Sequence, residues 1–232
     1  MSTRIHYLIF ILGLLLSVTL SAQVLEMKNQ NFEKIRGTRF IPPPNFTGKP
    51  YLYDKFNFGE IELTDGTKIA NIGLSYSTYR DELIYYNAII SAQILIDKIS
   101  LRGFSLRDDN GKYRIFRRLH SSGYSHDESF YELLSEGNIS FLAYRKVNLE
   151  PCDTYSSKSG LSYQSAFTYF LYSPDKGFSA LNLNRGSFLS KFSKPNQKAV
   201  KKLLRKNGIF IADESSVVKA LILIRQKNIF PI

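Results

Sequence analysis

The chain has 232 residues, with 31 Lys and Arg against 20 Asp and Glu, so its formal net charge is +11. A hydrophobic fraction of 44% suffices for one core, and two domains are possible but not required. The single cysteine, Cys152, excludes an internal disulfide. A lone cysteine is more often a small, buried or half-buried packing residue than a nucleophile.

Residues 1–22 predict an export signal. Arg4 supplies the positive charge, Leu8 to Leu20 form an apolar run, and Ser21 and Ala22 suit a cleavage site. As a helix the run would measure about 20 Å, short of the hydrocarbon core of about 30 Å; an uncleaved membrane anchor is the alternative. No cysteine follows the cleavage site, so no lipoprotein is expected. We expect a soluble protein in the periplasm, at the periplasmic face of the outer membrane, or secreted.

Two regions follow the predicted signal. Residues 23–48 contain Ile41-Pro42-Pro43-Pro44, which favours an extended tether or peripheral strap. Residues 49–190 show short runs in which apolar and polar side chains alternate, and Tyr and Phe are abundant among them. This second region is therefore predicted to be a β-rich domain.

Turn sequences divide the β-rich region into hairpins. The turns are Asp65-Gly66, Asp109-Asn110-Gly111, Glu136-Gly137-Asn138 and Ser173 to Gly177, and further strands are predicted at Leu83 to Tyr86 and Ile94 to Ile99. Short strands joined by tight turns predict an antiparallel β-meander, closed as a barrel or folded as a sandwich. Together with the helices predicted at the C-terminus, these strands predict the fold class α+β.

The spacing of apolar residues changes from period two to a helical period near Ser193, and residues 191–232 predict a basic helical hairpin. A first helix starts at Ser193-Lys194-Pro195 and ends at Asn207-Gly208, and Asp213 and Glu214 favour the start of a second. The predicted apolar positions are Ala199, Val200, Leu203 and Leu204 in the first helix and Val217, Val218, Leu221, Ile222 and Ile224 in the second.

The positive charge is concentrated in this hairpin. Residues 191–232 hold 10 Lys and Arg against 2 acidic residues, a net charge of +8, whereas residues 23–190 hold 20 against 18, a net of +2. The candidate partner-binding residues are Lys198, Lys201, Lys202, Arg205 and Lys206. Such a face could bind nucleic acid, anionic lipid head groups or an acidic protein, or be simply solvated. Export argues against nucleic acid.

Several short motifs resemble a family of uncharacterised exported proteins from Bacteroidota bacteria. They are Gly48 to Leu52, Phe56 to Gly66, Ser75 to Glu82, Phe130 to Gly137, and Ser187 to Leu189 followed by the Lys-rich helix and Asn207-Gly208. The resemblance spans roughly residues 48–228 and implies export, but it implies no activity. The last helix of this chain is more apolar than the polar-faced helix expected from that family.

One loop contains residues suited to catalysis or metal binding. His120, Ser125, His126 and Asp127 could ligate a metal or form a serine hydrolase site. Their spacing fits no recognised template, so a solvated loop is expected. The carboxylate pairs Asp81-Glu82 and Asp108-Asp109 are expected in turn or edge positions, because adjacent residues of a strand point to opposite faces. No catalytic residue, metal site or cofactor is predicted.

The leading functional hypothesis is a non-enzymatic periplasmic accessory protein. It would dock on an outer-membrane or secretion complex through its basic C-terminal helices, with exposed aromatic residues as further contacts. The partner would be an envelope or secretion-complex protein, or an anionic membrane surface. The first alternative is a carrier of a small hydrophobic ligand or lipid, since a closed aromatic-rich meander can enclose a cavity. The second is a hydrolase that uses the His120–His126 loop.

Overall fold

The computed structural model describes residues 32–120, 128–153 and 159–229. The chain divides into two compact units, residues 1–36 and 37–232. The described part of the first unit contains one 3-10 turn, Phe32–Lys34. The second unit contains the sheets and the helices.

Thirteen strands are defined in the described residues. They are β1 Gly37–Arg39, β2 Asn57–Leu63, β3 Lys68–Ser77, β4 Glu82–Asn87, β5 Ala92–Ile96, β6 Leu101–Arg107, β7 Tyr113–Leu119, β8 Ser129–Ser135, β9 Ser140–Tyr144, β10 Val147–Pro151, β11 Leu161–Ser165, β12 Thr168–Ser173 and β13 Gly177–Leu181. The predicted hairpins are present, and three features differ. The strand predicted to run to Ile99 ends at Ile96, β1 lies within the predicted extended segment, and β10 and β11 were not predicted.

Eleven strands form one antiparallel sheet in the order β1-β5-β4-β3-β2-β6-β7-β8-β9-β12-β13, while β10 and β11 pair separately. The prediction of an antiparallel β-rich body with C-terminal helices is confirmed. The connectivity, however, is not a simple meander. The chain leaves β5 and returns beside β2 to form β6. Three strands, β4, β3 and β2, therefore lie in the sheet between two strands that are consecutive in the chain.

The short connection between β5 and β6 requires the sheet to curl. In a flat sheet the two strands would lie about 19 Å apart, at about 4.8 Å per strand. Only residues 97–100 join them, and three of these form the 3-10 turn Lys98–Ser100, which rises only about 2.0 Å per residue. The sheet must therefore bend until β5 approaches β6. The two edge strands of the sheet are still β1 and β13.

Aromatic rings fill the inside of this curl. The Tyr76 ring centroid lies 5.1 Å from those of Phe104 and Phe116 and 6.2 Å from that of Phe130. Phe104 and Phe116 are stacked with centroids 4.6 Å apart. Because β2, β6 and β7 lie between β3 and β8 in the sheet, the contact of Tyr76 with Phe130 crosses the interior. All four side chains are buried.

A buried carboxylate joins the two sides of the curl. Asp81 follows β3 with a positive φ of 57° and is 5% exposed. It accepts hydrogen bonds from Tyr76 Oη at 2.6 Å, Lys98 Nζ at 2.5 Å and the Phe130 backbone N–H at 3.3 Å. Burial, and secondarily the Asp81 charge, raises the pKa of Tyr76, so the phenol stays protonated and donates. Asp81 thus connects β3, the β5–β6 connection and β8.

Three helices follow the strands: α1 Arg185–Ser190, α2 Lys194–Lys206 and α3 Glu214–Gln226. The predicted starts of α2 and α3 are confirmed, and the Asp213 side chain caps α3 by accepting from the Ser216 N–H at 2.7 Å. Helix α1 was not predicted. Two predicted apolar positions are wrong, because Ala199 and Ile222 are exposed.

The helices pack against the β9, β12 and β13 end of the sheet. Their shared core consists of the buried residues Phe141, Leu171, Leu181, Phe188, Phe192, Val200, Leu204, Ile211, Val217, Ala220, Leu221 and Ile224. Helix α1 therefore supplies core residues that link the last strand to α2 and α3. Burial of this apolar surface holds the helical hairpin on the sheet.

The first prediction concerns Asp81. Asn also tolerates a positive φ, so Asp81→Asn keeps the backbone but removes the charge that Lys98 and the Phe130 N–H require. We expect the free energy of unfolding, measured with urea, to fall by about 2–3 kcal/mol. Asp54→Asn is the matched control, because its ion pair with Lys49 is exposed and should contribute less than about 1 kcal/mol. Equal losses in the two variants would contradict the role of Asp81.

Candidate functional site

The candidate site is the outer face of α2, where the five predicted basic residues lie together. Lys198, Lys201, Lys202, Arg205 and Lys206, called the basic stripe from here on, are all exposed. Their spacing of three and four residues places them on one side of the helix, over about 12 Å along its axis. The opposite side carries Val200 and Leu204, which are buried in the shared core.

No described residue compensates the charges of the basic stripe. None of its five side chains forms an ion pair within 4.0 Å of another described residue. Helix α2 contains no Asp or Glu. Like charges three and four positions apart destabilise a helix by about 0.2–0.5 kcal/mol per pair. An anionic partner would relieve this repulsion, so the stripe is suited to bind one.

A buried ion-pair network fixes the start of α3 to the sheet. Arg145 follows β9 and donates from Nη1 and Nη2 to the Glu214 carboxylate at 2.7 and 3.0 Å, and from Nε to Glu132 at 2.5 Å. The Tyr169 hydroxyl donates to Glu214 at 2.9 Å. The first turn of α3 is thus held by a guanidinium that is itself paired with a carboxylate on β8.

The same network includes a second arginine. Arg114 on β7 donates to Glu132 from Nε at 2.6 Å and from Nη2 at 2.7 Å. Arg145 and Glu132 are only 5% and 4% exposed, so their burial is costly unless their charges are matched. Two guanidiniums and two carboxylates balance each other. Burial by itself would lower the pKa of Arg114, but its bonds to Glu132 raise it, and the group remains charged.

The other end of α3 is also attached to the sheet. Arg225 donates from Nη2 to Ser135 Oγ at 2.7 Å and to the Ile139 carbonyl at 3.2 Å. The guanidinium lies over Gly137, where a Cβ atom would come within 2.7 Å of Arg225 Nε. Because α3 is attached at both ends and α2 packs on the shared core, the basic stripe is presented on a rigid support.

One exposed aromatic residue lies close to the basic stripe in the chain. Phe210, in the connection between α2 and α3, is 74% exposed. Ile211 beside it is buried, and Ile209 packs against the shared core. Phe210 therefore points outward between two inward-facing neighbours. Phe210 was not predicted from the sequence, because its exposure depends on where the core lies and its flanking residues are also apolar. The exposed Phe58, Tyr86, Tyr113 and Phe167 lie in the β-rich part.

The second candidate cluster falls mainly outside the described residues. His120 is exposed at the end of β7, whereas Ser125, His126 and Asp127 lie in residues 121–127, which the structure does not describe. In the described ranges no group of three His, Cys, Asp or Glu side chains could hold a metal ion.

Cys152 is free and half-buried. No helix among the residues that the structure describes has the length and apolar character needed to cross a membrane.

The second prediction concerns Arg145. Arg145→Met leaves Glu214 without its guanidinium, so the free energy of unfolding should fall by about 3 kcal/mol and amide exchange in α3 should speed up. Arg102→Met is the matched control, because the Arg102 ion pair with Glu62 is half exposed and should contribute less than about 1 kcal/mol. An unchanged exchange rate in α3 would contradict the anchoring role of Arg145.

The third prediction concerns pH. Burial by itself would raise the pKa of Glu214, but the hydrogen bonds and charge of Arg145 outweigh it and lower the pKa. A carboxyl whose pKa is lower in the folded than in the unfolded state stabilises the fold above the unfolded value of about 4.3, and this stability is lost in more acidic solution. Between about pH 5 and pH 3, Glu214→Gln should lose less stability than the natural chain. An equal loss in the free energy of unfolding of the two proteins over this pH range would contradict the prediction.

The comparisons with known proteins give no assignment. The chain matches no protein-family model, no curated protein and no solved structure. The resemblance to exported Bacteroidota proteins therefore stays a prediction. The functional proposal is therefore based on the exposed basic face of α2 and on the attachment of α2 and α3 to the sheet.

Proposed function

We propose that the protein is a non-enzymatic accessory protein of the cell envelope. It docks through the basic stripe of α2 on an acidic surface of an outer-membrane or secretion assembly. One observation carries the proposal: five exposed cationic side chains share one helix face and have no anionic partner among the described residues. Export through the predicted signal would bring this face to the envelope.

The electrostatics of the stripe suit reversible docking. Neighbouring residues of the stripe have Cβ atoms about 5–6 Å apart, which is less than the Debye length of about 8 Å at physiological salt. The stripe therefore acts on a partner as one positive patch. Such a patch steers association and gives it a strong dependence on salt. Because α2 is held on the shared core, its backbone needs little ordering when a partner binds.

The interior of the curled sheet bears on the first alternative. A carrier of a small hydrophobic ligand needs a cavity, whereas the rings of Tyr76, Phe104, Phe116 and Phe130 pack against one another inside the curl. This packing does not favour a carrier. The hydrolase alternative depends on Ser125, His126 and Asp127, which lie outside the described residues, and it stays a prediction.

The fourth prediction tests the stripe. The purified protein is incubated with envelope membranes of the producing organism and sedimented, and the bound fraction is measured from about 50 mM to about 500 mM salt. We expect salt-sensitive binding. Replacing Lys198, Lys201 and Lys202 by Gln should weaken it about tenfold or more, because three charge contacts are removed.

The control variant has the same net charge as the variant with three replacements in the stripe. Lys49, Lys68 and Lys112 are exposed in the β-rich part, and replacing all three by Gln removes the same charge away from α2. This variant should bind as the natural chain does. If both triple variants weakened equally, net charge and not the stripe would be responsible, and the proposal would be wrong.

A further inference from the structure

We infer that the surface bound by the basic stripe is an anionic lipid membrane, with Phe210 inserted among the head groups. The inference rests on the proposed docking through α2 and names its partner. It follows from the composition of the stripe, from the position of Phe210, and from the charge of the whole C-terminal region.

The stripe is dominated by lysine. Four of its five residues are Lys, and the exposed Lys194 stands one turn before Lys198 on the same face. Protein–protein interfaces are depleted in Lys and enriched in Arg, whose planar guanidinium binds carboxylates in a fixed geometry. A lysine ammonium is a flexible, hydrated point charge. A diffuse layer of lipid phosphates requires no fixed geometry, so this composition favours a membrane.

Phe210 lies at the end of the stripe. It follows Lys206 by four residues, so its Cα is within about 14 Å of that of Lys206. The bend after α2 is fixed by Gly208 at a φ of 62° and by the Ile209 N–H, which donates to the Leu204 carbonyl at 2.9 Å. An exposed aromatic ring a few residues from a row of cationic side chains is the combination that binds the interface between lipid head groups and acyl chains.

Charge complementarity points the same way. Residues 191–232 carry a net charge of +8, while the two acidic residues among them, Asp213 and Glu214, serve to cap and anchor α3. Asp213 accepts from the Ser216 N–H, and Glu214 is paired with Arg145. Neither carboxylate is therefore a partner of the stripe, and the positive charge of the stripe remains available to an anionic surface.

The absence of tryptophan permits a direct test. Phe210→Trp places a unique fluorophore at the insertion site, and Phe58→Trp places one on the outer face of β2, where Phe58 is 68% exposed. Each variant is mixed with vesicles of phosphatidylcholine alone or with one-third phosphatidylglycerol. Binding is measured by sedimentation, and insertion by the wavelength of Trp emission.

We expect both variants to sediment with the phosphatidylglycerol vesicles and not with phosphatidylcholine alone. Emission should shift to shorter wavelength for Phe210→Trp and stay unchanged for Phe58→Trp. Adding the Lys198, Lys201 and Lys202 replacements should weaken binding about tenfold or more. Since Phe210 and Phe58 are both exposed, circular dichroism and urea unfolding should show that both variants fold as the natural chain does.

The remaining outcomes overturn the inference in different ways. Sedimentation with envelope membranes but not with protein-free vesicles would overturn the lipid partner and leave the docking proposal standing, with an acidic protein as the partner. Vesicle binding without a shift at Phe210→Trp would overturn insertion of this residue. Failure to bind either envelope membranes or vesicles would overturn both the inference and the proposed function.

Discussion

The Asp81 carboxylate lies where three parts of the curled sheet meet. Its partners are a phenol on β3, an ammonium in the β5–β6 connection and a backbone N–H on β8. A flat sheet would keep β3 and β8 about 19 Å apart, since three strands lie between them. A charge buried at this point is stable only when all three donors are in place, so the carboxylate favours the curl over any flatter arrangement.

The curl in turn sets the position of the helices. Glu132 is on β8, one of the strands tied by Asp81, and it receives the guanidiniums of Arg114 and Arg145. Arg145 then holds Glu214 in the first turn of α3, and the shared core joins α3 to α2. The basic stripe is therefore connected to the interior of the sheet through a continuous series of ion pairs and packed apolar residues.

Charge has two distinct roles in this chain. Inside, Asp81, Glu132 and Arg145 are matched by partners at hydrogen-bonding distance, because an unmatched buried charge would destabilise the fold. Outside, the basic stripe has no ion-pair partner among the described residues, and its side chains are solvated by water at little cost to stability. Only the second kind of charge is available to a partner. For this reason the functional proposal rests on α2, although the strongest ion pairs lie elsewhere.

Local sequence determined the hairpins and the two long helices. The turn at Asp65-Gly66 and the helix starts at Ser193 and Asp213 depend on the backbone preferences and hydrogen bonds of residues a few positions apart, which a single sequence contains. The exposure of the basic stripe followed from the same helical period. Helix α1 escaped prediction because six residues are too few to show a period.

The tertiary structure alone decided the return of the chain to form β6, the curl, and the partners of Asp81 and Arg145. Those contacts join residues far apart in the chain, such as Asp81 with Phe130 and Arg145 with Glu214. It also decided that Phe210 is exposed while Ile211 is buried, since both are apolar and their sequence context is the same. Periodicity shows which side chains share a face, whereas burial depends on which other element covers that face, and that is settled only when the whole chain packs.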